Sequence, residues 1–188
     1  MNRLYDRSFA CAFFSQIGFV LANTLMAHYA RWIDFLGGNI EQTGFIMGAG
    51  SVVGLFLRPW IGQCIDRIGA RNVWLLGYLI FGIGAAVNLC LSDLGVGIYV
   101  CRSLLVLGAA FVFSSSLAYI THHAPPERRT EAIGILGVGG FIGMMLGPAL
   151  GDMILGENRE FSNFRTLFFV TETSLVIPAL LLLLLEPP

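Results

Sequence analysis

Residues 58–72 read RPWIGQCIDRIGARN. One apolar run, 43–61, ends inside this stretch at Pro59 and Gly62, and a second, 73–91, begins directly after it. Between them stand Asp66, Arg67 and Arg71. Irregular backbone carrying three charges has no place in hydrocarbon, so the stretch reads as a turn at a membrane surface joining two spans. Arg58, Arg67 and Arg71 place that surface on the cytoplasmic side, where basic residues accumulate. Gly62 and Gly69 allow the turn to be tight and the helices beside it to approach closely.

Composition agrees with a bilayer environment. Of 188 residues, 56% are hydrophobic and 12% charged, against about a quarter charged in an ordinary soluble domain. Net charge is −1, which argues against nucleic-acid binding. Cys11, Cys64, Cys90 and Cys101 lie in or beside apolar runs in no ligand-like spacing, so neither a metal nor another cofactor is expected.

A helix that crosses the hydrocarbon core needs roughly 20 mostly apolar residues. Residues 9–30, 43–61, 73–91, 96–120, 132–150 and 167–185 meet that requirement, and short polar pieces join them. The expected fold is therefore an all-α membrane protein, a single six-span bundle over 1–188. Arg3, Arg7, Arg58, Arg67, Arg71, Arg128 and Arg129 fall on one side, and Arg31, Arg159 and Arg165 on the other. This asymmetry puts both termini in the cytoplasm.

A shift of 89 residues lays span five over span two, as the numbering shows. Gly48, Gly50, Gly54, Pro59 and Gly62 then coincide with Gly137, Gly139, Gly143, Pro148 and Gly151. Such a match is expected of a 3+3 inverted repeat, and a shared small-residue packing face would produce part of it. In span five, Gly143, Gly147 and Gly151 recur every fourth residue and form a close-packing face. Pro148 removes a backbone hydrogen bond and is expected to kink the helix.

Several polar residues are expected inside the bilayer. Arg102 in span four and Glu172 in span six each lie about seven residues from the outer surface, and Asn23 in span one lies at a matching depth. At 1.5 Å per residue that is roughly 10 Å. Intramembrane charges are expensive and mark function by default, so Arg102 and Glu172 are expected to pair or to meet water, with Glu172 carrying a proton. Gln16, Thr24 and His28 are further polar residues of span one. His122 and His123 read as surface residues. In the loop 125–134, Glu127, Arg128, Arg129 and Glu131 are placed to pair with Asp66 and Arg71. Ser114, Ser115 and Ser116 read mainly as residues bonded to their own helix.

The spacing Gly62-x-x-x-Asp66-Arg67-x-Gly69-x-Arg71 resembles the signature loop between the second and third helices of the major facilitator superfamily of transporters. The string from Gly143 to Gly151 resembles the family's fifth-span motif, found mainly in its exporters, with Asp152 where that motif has a second Gly. A fourth-span Arg followed by two Gly residues is associated in the family with proton coupling. Here Arg102 and Gly108 match that pattern and Val106 departs from it.

The resemblance implies half of a major-facilitator fold, the N-terminal six-helix half. It also implies a proton-coupled secondary carrier of efflux type in a bacterial inner membrane, with the 62–71 motif as cytoplasmic gate. Its partners would be a small-molecule substrate, the lipid bilayer and a second six-helix half. The alternative is a non-transporting membrane module that binds a partner half or another membrane protein. An intramembrane protease is disfavoured, because span six has no His and no Gly-x-Ser-x-Gly occurs.

Overall fold

The computed structural model describes residues 4–157 and 160–185. Arg3 and Arg159, counted above for orientation, lie outside them. The elements are α1 (Arg7–Leu25), a 3-10 turn (Met26–His28), α2 (Tyr29–Phe35), α3 (Ile40–Phe56), α4 (Arg58–Ile68), α5 (Ala70–Asn88), α6 (Val96–His123), α7 (Arg129–Leu155) and α8 (Phe161–Leu183). Five helical segments are long and apolar enough to cross a membrane, the first being α1 and α2 taken through their 3-10 turn. The pair α3 and α4, bent by 46° at the break between them, supplies the sixth span.

Local chemistry sets the ends of these helices. Asp6 accepts the Phe9 N–H at 2.8 Å at the start of α1, an N-cap. Asn39 and Gln42 form a reciprocal capping box at the start of α3. Pro59 lies in the first turn of α4, where its missing N–H costs nothing. Most of 58–72, expected as a turn, is therefore helix. The change of direction is compressed into Gly69, at φ 83° and ψ 150°, a conformation open essentially only to glycine.

The helix pairings follow a two-fold pattern. α1 packs on α7 and α8, α6 packs on α3 and α5, and α5 meets α8. Exchanging spans one and four, two and five, and three and six maps this set of contacts onto itself, as a 3+3 repeat requires. Matched glycines also do matched work. Built with a side chain, Gly50 and Gly54 would collide with Arg102 and Val106 of α6, and Gly139 and Gly143 with Phe13, Ile17 and Val20 of α1.

The prolines break the match. Pro59 adjoins a bend, whereas α7 runs unbroken through Pro148, so the expected kink does not interrupt that helix. The Thr24 hydroxyl oxygen stands 3.1 Å from the Gly143 carbonyl oxygen, where α1 and α7 meet.

Close approach continues in the seam between α5 and α6. A Cβ on Gly108 would lie 2.5 Å from the Phe81 backbone nitrogen. At the centre, Phe19 of α1 meets Tyr78, Phe81 and Phe113 edge-on, with ring centroids 5.2–5.6 Å apart, a favoured geometry. Outward-facing positions carry Phe45, Met153 and Ile177, all exposed, as lipid-facing helices require.

Candidate functional site

A groove of about 350 Å³ opens between α1, α6 and α7. Residues Gln16, Val20 and Asn23 line it from a single face of α1. Phe113, Ser116 and Leu117 come from α6, and Leu136, Phe141 and Met144 from α7. Part of its polarity is already spent. The Thr24 hydroxyl donates to the Val20 carbonyl at 2.7 Å, and Ser116 donates to the Phe113 carbonyl at 3.2 Å. Gln16 Oε1 is buried with no hydrogen-bond partner. The groove is thus an uncharged aromatic cleft in which Gln16 and Asn23 have capacity left for a guest. Sequence reasoning singled out Asn23; Gln16 shares its helix face at a separation of two turns.

Glu172 lies elsewhere. It lines a second groove, about 490 Å³, between α5 and α8, with Tyr78, Leu79, Gly82 and Ile83 opposite. Its Oε1 is buried without a partner. Arg102 lies against α3, its stem over Gly50, and its guanidinium carbon stands 5.4 Å from the centre of the Tyr29 ring, within cation–π range. Its Nε is buried and unpartnered. No ion pair forms between Arg102 and Glu172, so the expected pairing is not made. Residue counting fixes depth through the helical rise, but the two side chains leave their helices toward different neighbours.

At the end of the bundle where α4 meets α5, Gly62, Asp66 and Arg67 are exposed, and among the described residues neither Asp66 nor Arg67 has a hydrogen-bonding or ionic partner. Arg71 turns back onto the end of α8, donating to the Leu182 carbonyl at 3.0 Å and the Leu183 carbonyl at 2.8 Å. It therefore binds two carbonyls of the last turn, of which Leu182 also accepts from the Leu185 N–H, and sits at the negative end of the helix dipole. The 125–134 loop does not reach it. Arg128 binds Glu131 through two N–H groups at 2.8 and 2.6 Å and lies over the Tyr5 ring. Tyr5 donates its hydroxyl to the Glu131 carboxylate, and that bond raises the phenol above its ordinary value.

His123, expected at the surface, instead binds Asp6 at 2.9 Å and stacks on Tyr119. These local partners tie the ends of spans one, four and five together, which explains why the cross-surface pairs are not made.

The packing glycines seat α7 on α1. A Cβ on Gly143 would come within 2.7 Å of the Ile17 carbonyl, one on Gly147 within 2.0 Å of the Thr24 hydroxyl, and one on Gly151 within 2.3 Å of the His28 ring. Span one is pinned from its other side as well. Ser15 donates to the Pro178 carbonyl at 3.1 Å, and Tyr78 donates to the Ser15 carbonyl at 2.9 Å.

The model of the Major Facilitator Superfamily matches residues 8–188. The chain belongs to the major facilitator superfamily. Among its relatives in the superfamily is multidrug resistance protein 2 of Bacillus subtilis (strain 168). That protein is 25% identical over 147 residues, 77% of this chain and 35% of the relative. The vesicular acetylcholine transporter of Drosophila melanogaster is 28% identical over 152 residues, covering 80% of this chain and 25% of that protein. The riboflavin transporter RibZ of Clostridioides difficile (strain 630) is 28% identical over 117 residues, or 62% of this chain and 25% of that transporter. The chain thus spans a quarter to about a third of the length of these relatives.

Proposed function

We propose that this chain is the N-terminal half of a proton-coupled secondary carrier that moves a small solute outward across a bacterial cell membrane, with both termini in the cytoplasm. The observation that carries this reading is the cleft between α1, α6 and α7, with Gln16 and Asn23 set in aromatic and aliphatic walls. It is a concave, largely apolar site with few polar groups to orient a guest. It carries no charged side chain, so its guest is recognised by shape and by hydrogen bonds to the two amides. A second six-helix half supplies the opposing wall. The exposed and unpartnered Gly62, Asp66 and Arg67 suit a cytoplasmic gate closing on that half.

Glu172 is the candidate for the coupling proton. A carboxyl with an unpartnered buried oxygen costs desolvation energy unless it takes a proton or meets a cation. Arg102 acts separately from it, along α3 and Tyr29.

The test joins the chain to its second half in vesicles bearing a pH gradient and screens a panel of neutral and charged solutes for uphill movement. Asn23→Ala is expected to weaken apparent affinity for the transported solute about tenfold, the effect of one hydrogen bond to a buried polar group. If no solute moves, yet the chain still associates stably with another membrane protein, the partner-binding alternative replaces transport.

A further inference from the structure

The non-cytoplasmic end of span one is not a continuous α-helix. α1 stops at Leu25, the chain makes a 3-10 turn over Met26–His28, and α2 resumes at Tyr29. His28 ends that turn and is buried, its side chain 5% exposed. Its ring packs against Gly151 of α7, where any Cβ would come within 2.3 Å of it. Both ring nitrogens face oxygens. Nδ1 is 3.2 Å from the Leu25 carbonyl and Nε2 is 3.1 Å from Asp152 Oδ1. The same Asp152 oxygen accepts from Arg31 Nη1 at 2.7 Å.

A carbonyl and a carboxylate only accept. A neutral imidazole donates from one nitrogen and presents a lone pair at the other. Whichever tautomer it adopts, a neutral His28 would hold that lone pair against an oxygen lone pair. Only the imidazolium satisfies both contacts, and Arg31 donates to the same carboxylate oxygen. The groups facing the ring are Asp152 from α7 and Arg31 from its own span. Apart from its chain neighbours α1 and α2, the turn packs chiefly on α7.

We infer that His28, Asp152 and Arg31 form a proton-binding latch that fastens the outer segment of span one to span five. Asp152 is the residue that departs from the family's fifth-span string. Its proton comes from water on the non-cytoplasmic side, reached past the exposed Asp152 carboxylate. It binds the free ring nitrogen and makes a second N–H donor; on release it returns to the same water. A histidine that gains partners as a cation contributes its stability at low pH and loses it as pH rises. The latch is therefore closed in acid and open in alkali. When open, it frees α2 at the 3-10 turn, a hinge of few residues at the end of a helix. The latch stands on this geometry alone; only its use in proton-driven transport rests on the carrier reading.

The test uses the full chain in lipid bilayers with nitrogen-15 in its three histidines, His28, His122 and His123. His28→Gln assigns the His28 signals by their loss. Both ring nitrogens of His28 are expected to be protonated in acid, where the two oxygens are both served, and only one in alkali. Asp152→Asn is expected to move the change to lower pH.

Backbone hydrogen exchange over residues 26–35 gives a second reading. Protection in wild type should exceed that in Asp152→Asn about tenfold in acid, the effect of a charge-assisted bond, and the gap should narrow in alkali, where only the Arg31–Asp152 pair is left to lose. A singly protonated His28 in acid would overturn the latch, as would a difference in protection that is the same at both pH values. Neither measurement depends on a transported solute, so a failed latch and a failed carrier are told apart.

Discussion

Gly137 and Gly143 share α7 and meet different surroundings, which makes them a controlled pair. A Cβ on Gly143 would press on Ile17 and Leu21 backbone atoms at 2.7 and 2.8 Å, whereas one on Gly137 would meet nothing within 4 Å. Backbone cannot swing aside as a side chain can, so Gly143→Ala is expected to cost about 1–3 kcal/mol, as overpacking does. Gly137→Ala should gain up to about 1 kcal/mol from helix propensity alone. Denaturant unfolding in detergent micelles reads both, and equal effects would show that α7 does not seat on α1 through this face. Glu172 yields a functional prediction of the same grain. In the complete carrier, Glu172→Gln is expected to abolish uphill movement driven by a pH gradient while leaving solute exchange measurable. Unchanged uphill efflux would remove Glu172 as the coupling site.

Helices α4 and α5 carry the 62–71 motif as helix on either side of Gly69 rather than as a loose loop, and this divides the motif into two jobs. Gly69 and Arg71 have structural work inside the chain: the first turns the backbone, and the second caps α8. Gly62, Asp66 and Arg67 have none, since they are exposed. Asp66→Asn is accordingly expected to leave expression and membrane insertion nearly unchanged and to slow turnover of the complete carrier. Near-wild-type transport would return Asp66 to ordinary surface chemistry. Arg71→Ala should instead loosen the last turn of α8, seen as faster hydrogen exchange at the amides that precede Leu184.

Across the whole molecule, the two-fold relation of the helix contacts gives each three-span unit one central helix, α1 or α6, gripped by both neighbours of the opposite unit. The cleft opens beside these central helices, whereas Glu172 lies on the α5–α8 flank. Orientation is testable at this scale. With the native cysteines replaced, a cysteine introduced at Asn39 should react with an impermeant thiol reagent applied from outside, and one at Glu127 should not. The reverse pattern would invert the bundle and place the His28 latch on the cytoplasmic side.

Hydropathy and charge alone determined that the chain crosses a membrane in six spans, because burying an unsatisfied backbone or a bare charge in hydrocarbon costs more than any packing detail returns. The family was legible in the Gly62–Arg71 spacing for a related reason: a tight turn with charges at fixed offsets tolerates few alternatives. Depth was legible too, since helical rise is constant. What only the tertiary structure decided was azimuth and partnership. Arg102 and Glu172 share a depth yet point to different helices. Arg71 caps α8 instead of meeting Glu131. His28, one polar residue among several in span one, found its partner in Asp152, 124 positions away. Which faces meet depends on how six helices roll against one another. That is set by glycine seams spread over the whole chain, so no local stretch contains the answer.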